Sequence, residues 1–236
     1  MENKLNLSKR LLCAASLIRN GSFLADVGTD HAYLPIHLCL EGRVRGAFAS
    51  DINRGPVERA RENITKYGLE DTVSVEVSDG LRAAEAHSPD SIAILGMGGE
   101  LIARILSEAA WVKRSGIQLC LQPMTHAEAL RSYLLENGFA ITEEEIVEED
   151  GRIYQLLTAE FSPSAEVLPY SEAELLLGRL NIEKKTPSLK RLGEHQLSVL
   201  SKRIEGKRLA GTSVEAELSL AEDIKNAINQ RNGEKL

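Results

Sequence analysis

Cysteine is scarce in this chain. Cys13, Cys39 and Cys120 are spread through 236 residues with none of the paired spacing that zinc or a disulfide framework uses. They read as small buried hydrophobes, and no metal is expected. No apolar run reaches the roughly 18 residues of a membrane-spanning helix. The apolar stretch Leu11–Ile18 is short and flanked by charge, so it reads as an amphipathic helix rather than a signal peptide. A cytoplasmic protein with no membrane partner is therefore expected. Internal repeats and low-complexity segments are lacking too. What remains is an ordinary globular composition, 43% apolar and 27% charged. It is long enough for one α/β domain of roughly 150 residues and something smaller.

Apolar, β-rich runs alternate with helical patterns from residue 22 to 160. Strands are expected at Phe23–Val27, Gly46–Ser50, Val73–Val77, Ser91–Leu95 and Ile117–Leu121. Helices are expected at Leu34–Leu40, at Val57–Tyr67 with Pro56 as first helical residue, at Glu100–Ala110 and at Ala127–Glu136. Phe139–Glu148 and Ile153–Glu160 then form a hairpin about the turn Glu149-Asp150-Gly151, adding an antiparallel strand at the sheet edge. Such alternation builds a parallel sheet covered by helices on both faces.

Ser162–Pro169, with two prolines and two serines, reads as a linker. Beyond it only helical patterns appear: Glu172–Asn181, Ser188–Arg208 and Val214–Asn229. Leu192, Val199, Leu200 and Ile204 are placed to face Val214, Leu218, Ala221, Ile224 and Ile228 across a reversal at Gly206–Ser213, a short antiparallel coiled coil. Two domains follow, residues 1–162 and 163–236.

Charge divides along the same line. Residues 1–160 carry 16 basic and 24 acidic side chains, whereas residues 161–236 carry 12 and 11. Between 184 and 208, eight basic residues stand against Glu194 and Glu205. Lys202, Arg203, Lys207 and Arg208 are the candidate contacts to a polyanion. A solvated helix face explains the same charges.

The chemistry concentrates where strands end. Asp26-Val27-Gly28-Thr29-Asp30-His31-Ala32-Tyr33 spans the first strand-to-helix turn, a ligand-binding position in open α/β sheets. Gly28 admits close backbone approach. The further glycines of a dinucleotide fingerprint are missing, replaced by Asp30 and Tyr33. An acidic loop repels pyrophosphate but suits the sulfonium and amino group of S-adenosylmethionine. Asp51, 25 residues after Asp26, is placed for two ribose hydroxyls. Asp79-Gly80-Leu81 is placed for an adenine edge. Each is also an ordinary cap or turn former. The fourth strand ends in Gly96-Met97-Gly98-Gly99, with no Asn-Pro-Pro-aromatic loop and no aromatic to stack on a base. A closing hairpin, in place of another β-α unit, is the order of class I methyltransferases.

Asp26-Val-Gly-Thr-Asp-His-Ala-Tyr-Leu-Pro35, Asp79-Gly-Leu81, Gly96-Met-Gly-Gly99, Leu121-Gln-Pro-Met124 with His126, and Glu148-Glu-Asp-Gly151 together resemble the bacterial tRNA (adenine-22-N1)-methyltransferase family, TrmK. The motifs cover about residues 5–160; over the tail the likeness rests on order and helical character. The resemblance implies a Rossmann-like seven-stranded class I methyltransferase domain, S-adenosylmethionine as donor, tRNA as partner and a C-terminal coiled coil that helps to hold it. It places Asp26, Gly28, Thr29, Asp30, His31 and Tyr33 at the methionine end of the cofactor. Asp51 and Ile52 fall at the ribose and adenine, and Asp79, Gly80 and Leu81 at the adenine edge. Gly96, Met97, Gly98 and Gly99 face the transferred methyl and the target base. Gln122, Met124 and His126 fall on the substrate side. Met124 departs from the pattern, which leads one to expect asparagine there.

Neutral adenine N1 has a lone pair and no proton, so attack on a sulfonium methyl needs alignment to about 3–3.5 Å and no base. The product is a cation, which carboxylate or carbonyl oxygen stabilises. Other acceptors remain open from the residues alone: another RNA, a protein, a small molecule, or no reaction at all in a tRNA-binding protein with a degenerate cofactor fold. A monomer is the favoured state.

Overall fold

The structure, a computed structural model, describes residues 5–164 and 169–229. Ser8 starts the first helix by accepting the Leu11 N–H at 3.3 Å. α1 (Lys9–Leu17), β1 (Phe23–Val27), α2 (Tyr33–Leu40), β2 (Gly46–Asp51), α3 (Arg54–Lys66) and β3 (Val73–Val77) follow. Next come β4 (Ser91–Met97), α4 (Gly99–Ser107), β5 (Gln118–Pro123), α5 (Ala127–Glu136), β6 (Phe139–Glu149) and β7 (Arg152–Phe161). α3 begins before Pro56, which takes the third helical position. The first turn has no intrahelical acceptor for its N–H groups, so proline is tolerated there. The expected long fourth helix ends at Ser107, and a 3-10 turn at Ala110–Lys113 replaces its continuation.

The sheet runs β3-β2-β1-β4-β5-β7-β6, with β1 to β5 parallel and β7 antiparallel to both its neighbours. The antiparallel strand thus lies one place inside the edge, not at the edge as the sequence suggested. The side chains explain the order. Leu156, Leu157 and Ala159 of β7 are fully buried. β6 carries glutamates at 143, 145, 148 and 149 that remain at least partly exposed, and such charge at an edge deters further pairing. Asp150 and Gly151 both take positive φ, 49° and 74°, the type I′ geometry that joins twisted strands in two residues.

Each face of the sheet builds one core. Val27, Phe48, Ile92, Ile94, Leu119 and Leu121 pack with Ile102 and Leu106 of α4 and Leu130 and Leu134 of α5. Leu24, Ala47, Ala49, Ala93 and Cys120 pack with Ala14 and Ala15 of α1, Leu34 and Ile36 of α2, and Ala60 and Ile64 of α3. Burial on both faces is why the central strands read as unbroken apolar runs. Arg131 of α5 is itself fully buried, its Nε donating to Glu144 Oε1 at 2.7 Å and its Nη2 to Gln155 Oε1 at 2.8 Å. That pairing ties α5 to the hairpin.

The chain divides into two units, Met1–Val167 and Leu168–Leu236. The second contains α6 (Glu172–Leu177), α7 (Arg179–Lys184), α8 (Pro187–Leu209) and α9 (Glu215–Asn229). Ser171 and Glu174 form a reciprocal capping box at α6. The single helix expected over Glu172–Asn181 is broken by Gly178, whose φ of 86° cannot continue a helix. α8 runs through Gly206, and the reversal comes later, at Gly211 with φ 68°. Leu192, Leu200, Ile204, Leu220 and Ile224 are buried along the α8–α9 hairpin, whereas Val199 and Leu218 face outward, contrary to the expected seam. Ile228 sits where Gly193 lacks a side chain, 2.4 Å from the position of an added Cβ. The linker's residues 165–168 lie outside the described residues.

Candidate active site

Strand order brings the acidic residues to one edge. Asp26, Asp51 and Asp79 stand at or beyond the carboxyl ends of β1, β2 and β3, and Gly96 to Gly99 at that of β4. β1 and β4 lie side by side although β2 and β3 separate them in sequence, which makes their boundary the topological switch point.

The first turn is held from below. Gly28 and Thr29 donate their N–H groups to the Ser50 carbonyl at 2.8 and 2.9 Å. Gly28 has φ 80°, a left-handed backbone that favours glycine, and a Cβ there would have to displace the Met97 methyl, 2.1 Å away. Thr29 is buried, and its Oγ1 accepts the Ala32 N–H at 3.0 Å. Ala32, which opens α2, is left-handed at φ 54°. His126 does the same before α5 at φ 52°. Non-glycine residues in this region are strained by about 1–2 kcal/mol each, and Ala32 lies in the wall of the cavity described next.

A cavity of about 400 Å³ opens beside this turn, lined among others by Ser8, Arg10, Asp26, Thr29, Asp30 and Tyr33. Asp26 is 6% exposed. Burial pushes its carboxyl up to about 6, against the opposing hydrogen bond with Thr29. Asp30 is exposed and paired with Arg59 at 2.6 Å and His31 at 3.2 Å; the His31 ring stacks on Tyr33, centroids 5.0 Å apart. Both aromatic side chains are thus part of the wall.

Asp51 Oδ1 accepts the Asn53 N–H at 2.8 Å, which fixes the carboxylate at the head of its loop. Ile52 is 61% exposed, an apolar surface with no protein cover. Asp79 is exposed with Arg82 at 3.5 Å. Gly80 turns at φ 57°, and the Leu81 side chain is buried in the core.

The β4 loop rests on the β5 loop. Met97 accepts the Met124 N–H at 2.8 Å, and Gly99 donates to Thr125 O at 2.8 Å. A Cβ on Gly99 would lie 2.1 Å from the His126 carbonyl oxygen. Gly99 therefore serves this close approach and is buried, while Gly96 is exposed. Gln122, expected on the substrate side, is fully buried behind the loop, its carbonyl accepting both Arg10 Nη1 at 2.8 Å and the Gly96 N–H at 3.1 Å. Met124 is 45% exposed and His126 lies at 3.2 Å from Glu128. Arg10, Ser8 and Asn6 were not anticipated; nothing in an amphipathic N-terminal helix marks which residues reach a cleft. Among the described residues no cluster of histidine, cysteine and carboxylate suits a metal. No described helix is long and apolar enough to cross a membrane.

In the second unit the four candidate basic residues part company. Arg203 and Lys207 both pair with Glu217 Oε1, and Glu217 is 3% exposed. The Lys207 ammonium holds the Glu217 carboxyl below its ordinary range. Among the described residues no such pairing draws in Lys202 and Arg208.

An acidic, phosphate-repelling first turn, carboxylates after the next two strands and the 3-2-1-4-5-7-6 sheet define a class I, S-adenosylmethionine-dependent methyltransferase. The methyltransferase-domain family matches residues 7–157. The tRNA (adenine(22)-N(1))-methyltransferase of Bacillus subtilis strain 168 is 45% identical over 159 residues, 67% of this chain and 66% of that protein, just under two thirds of its length. The crystal structure of the B. subtilis m1A22 tRNA methyltransferase TrmK superposes with a TM-score of 0.81 and 33% identity, covering 95% of this chain and 97% of that one. M. capricolum TrmK, solved with the cofactor product S-adenosylhomocysteine, gives a TM-score of 0.71 and 27% identity over 94% of this chain and 96% of that one. The chain belongs to the TrmK family.

Proposed function

We propose that this protein methylates N1 of adenine 22 in tRNA. One observation carries the chemistry: a buried carboxylate, Asp26, which has no cationic partner among the described residues, lies beside a glycine loop that contains no general base. A carboxyl raised to about 6 by burial calls for a cation, which the amino group and sulfonium of S-adenosylmethionine provide. The residues therefore fit this cofactor. When bound, it supplies an already activated methyl group.

The chain's own residues then bind and align. Asp26 and the Thr29–Tyr33 turn hold the methionine end, with Asp30 and His31 at its rim. Asp51 accepts from the ribose hydroxyls, Ile52 covers the adenine face, and Asp79 with the Gly80–Leu81 backbone reads its edge. Gly96, Met97 and Gly98 present backbone to the target base, because no β-carbon stands in the way at the two glycines. Loop carbonyl groups stabilise the positive charge that develops on the adenine. Gly99 and Gln122 hold the loop in place. Met124 and His126 face the substrate.

N1 is on the pairing edge, so the base must leave any stack or pair at a cost of about a few kcal/mol. Phosphate contacts from residues 163–236, with Lys202 and Arg208 foremost, offset that cost and make binding salt-dependent. Residues 1–162 act as the catalytic domain, and the tRNA substrate places the reaction in the cytoplasm.

The test is direct. The purified protein is incubated with S-adenosylmethionine and an unmodified tRNA bearing adenine 22, and the product is digested for nucleoside mass spectrometry. N1-methyladenosine that disappears when guanine replaces that adenine is expected. Cofactor binding without any methylated nucleoside would overturn the acceptor and keep the fold class.

A further inference from the structure

A base drawn out of a folded RNA leaves the faces of its neighbours bare to water. Two apolar side chains stand exposed at the loop assigned to the target base. Met124, 45% exposed, follows β5, and Leu101, 37% exposed, is the third residue of α4. Scattered exposed apolar residues are common on protein surfaces and by themselves mean little. These two are distinguished by how firmly they are mounted. Met124 donates its N–H to the Met97 carbonyl at 2.8 Å, and its sulfur accepts from Gln122 Nε2 at 3.4 Å. The Thr125 carbonyl accepts the Gly99 N–H at 2.8 Å, and the His126 carbonyl leaves no room for a side chain at Gly99. Leu101 rides on a helix whose Ile102, Ile105 and Leu106 are buried in the core. Neither apolar group can withdraw beneath the surface without breaking this packing. The Gly96–Gly99 loop has no aromatic side chain on which a base could stack. Methionine also stands where the family pattern leads one to expect asparagine. It makes this rim apolar, and its unbranched, polarizable side chain adapts to the face of a base.

We propose that Leu101 and Met124 form an apolar wedge, which enters the tRNA stack at position 22 as the adenine leaves it and covers the base faces laid bare. The proposal rests on the function proposed above. Leucine and methionine are among the side chains that proteins insert between base steps. Neither touches the reacting atoms. Both are positioning residues, which lower the cost of bringing N1 to the methyl group.

Extrusion is read directly with 2-aminopurine in place of adenine 22, because its fluorescence is quenched in a stack and rises when the base leaves it. Saturating unaltered protein should raise the signal. Leu101→Gln combined with Met124→Gln keeps similar length and removes the apolar surface. At saturation this double variant should give about half the rise or less, and on tRNA with adenine 22 it should lower kcat about tenfold or more. S-adenosylhomocysteine affinity and the melting temperature show that the cofactor site and the fold are intact. A full fluorescence rise in the double variant overturns the wedge.

Loss of a wall of the base pocket would also slow turnover, so a second substrate separates the two roles. An abasic nucleotide opposite adenine 22 lowers the cost of extrusion in advance. On that tRNA the loss in kcat of the double variant should shrink to about twofold. A loss as large as on the intact tRNA would overturn the wedge and make the two side chains a wall for the target base. Met124→Leu, still apolar, should lie nearer the unaltered protein than Met124→Gln in both fluorescence and kcat, and the reverse order would overturn the wedge as well. Failure of the unaltered protein to form N1-methyladenosine on the intact tRNA would instead overturn the function on which the wedge rests.

Discussion

Cofactor affinity should fall on acidification because of Asp26. Burial raises its carboxyl from 3.8 to about 6, while the bound cofactor's ammonium group demands the ionised form. Below pH 6 the free protein holds a proton that binding must expel. Affinity for S-adenosylhomocysteine should thus drop about tenfold per pH unit as the pH falls below about 6, and level off above it. Folding shows the opposite sign. The native carboxyl binds its proton more tightly than the unfolded one, so ligand-free stability is highest below pH 3.8 as far as this group is concerned. It declines as the pH rises toward 6, by at most about 3 kcal/mol for a shift of about two units. Asp26→Asn removes both effects: the variant binds weakly at every pH, and its stability above pH 6 equals or exceeds that of the unaltered chain. Calorimetric titration from pH 4.5 to 8, beside urea unfolding at the same pH values, reads both quantities. Weakened binding of Asp26→Asn with an unchanged pH slope would refute the reasoning, because another group would then own the titration.

Asp51→Ala should weaken S-adenosylhomocysteine by about 2 kcal/mol, roughly thirtyfold, with the melting temperature preserved, since a charge-assisted pair of hydrogen bonds is lost at an exposed loop; calorimetry and a melting curve check it. Gly99→Ala places a methyl group 2.1 Å from the His126 carbonyl oxygen, so about 1–3 kcal/mol of stability should be lost along with most methyl transfer, measured by urea unfolding and turnover. Ile94→Ala, fully buried in β4, should cost about 2–5 kcal/mol in the same unfolding assay. Lys202→Glu with Arg208→Glu should weaken tRNA, lower the slope of log affinity against log salt by about 2, and spare cofactor binding. An unchanged slope in a filter-binding series would remove both residues from the interface. Adding Arg203 and Lys207 to that set would confuse the test, because both hold Glu217.

Local rules made much of this protein legible as a sequence. Period and punctuation located the strands within a residue or two, because unbroken apolar runs between turn residues have few other uses. The Glu149–Gly151 turn was readable since only two positive-φ residues close a tight hairpin in two steps. The acidic turn and missing phosphate glycines separated sulfonium from dinucleotide chemistry by charge alone. What the sequence could not show were consequences of proximity. That β7 slips between β5 and β6 follows from competing burial across the whole sheet. That Gly99 is a packing glycine depends on the His126 carbonyl, 27 residues away in the chain. Gln122 looks like a polar loop residue until 122 is seen to lie beneath 96 and beside 10. Arg203 and Lys207 look like free cations until α9 folds back and offers Glu217. Sequence pattern encodes what each segment buries and how it turns. Only folding decides which distant groups share a low-dielectric cleft, and there the pairing of charges sets the chemistry.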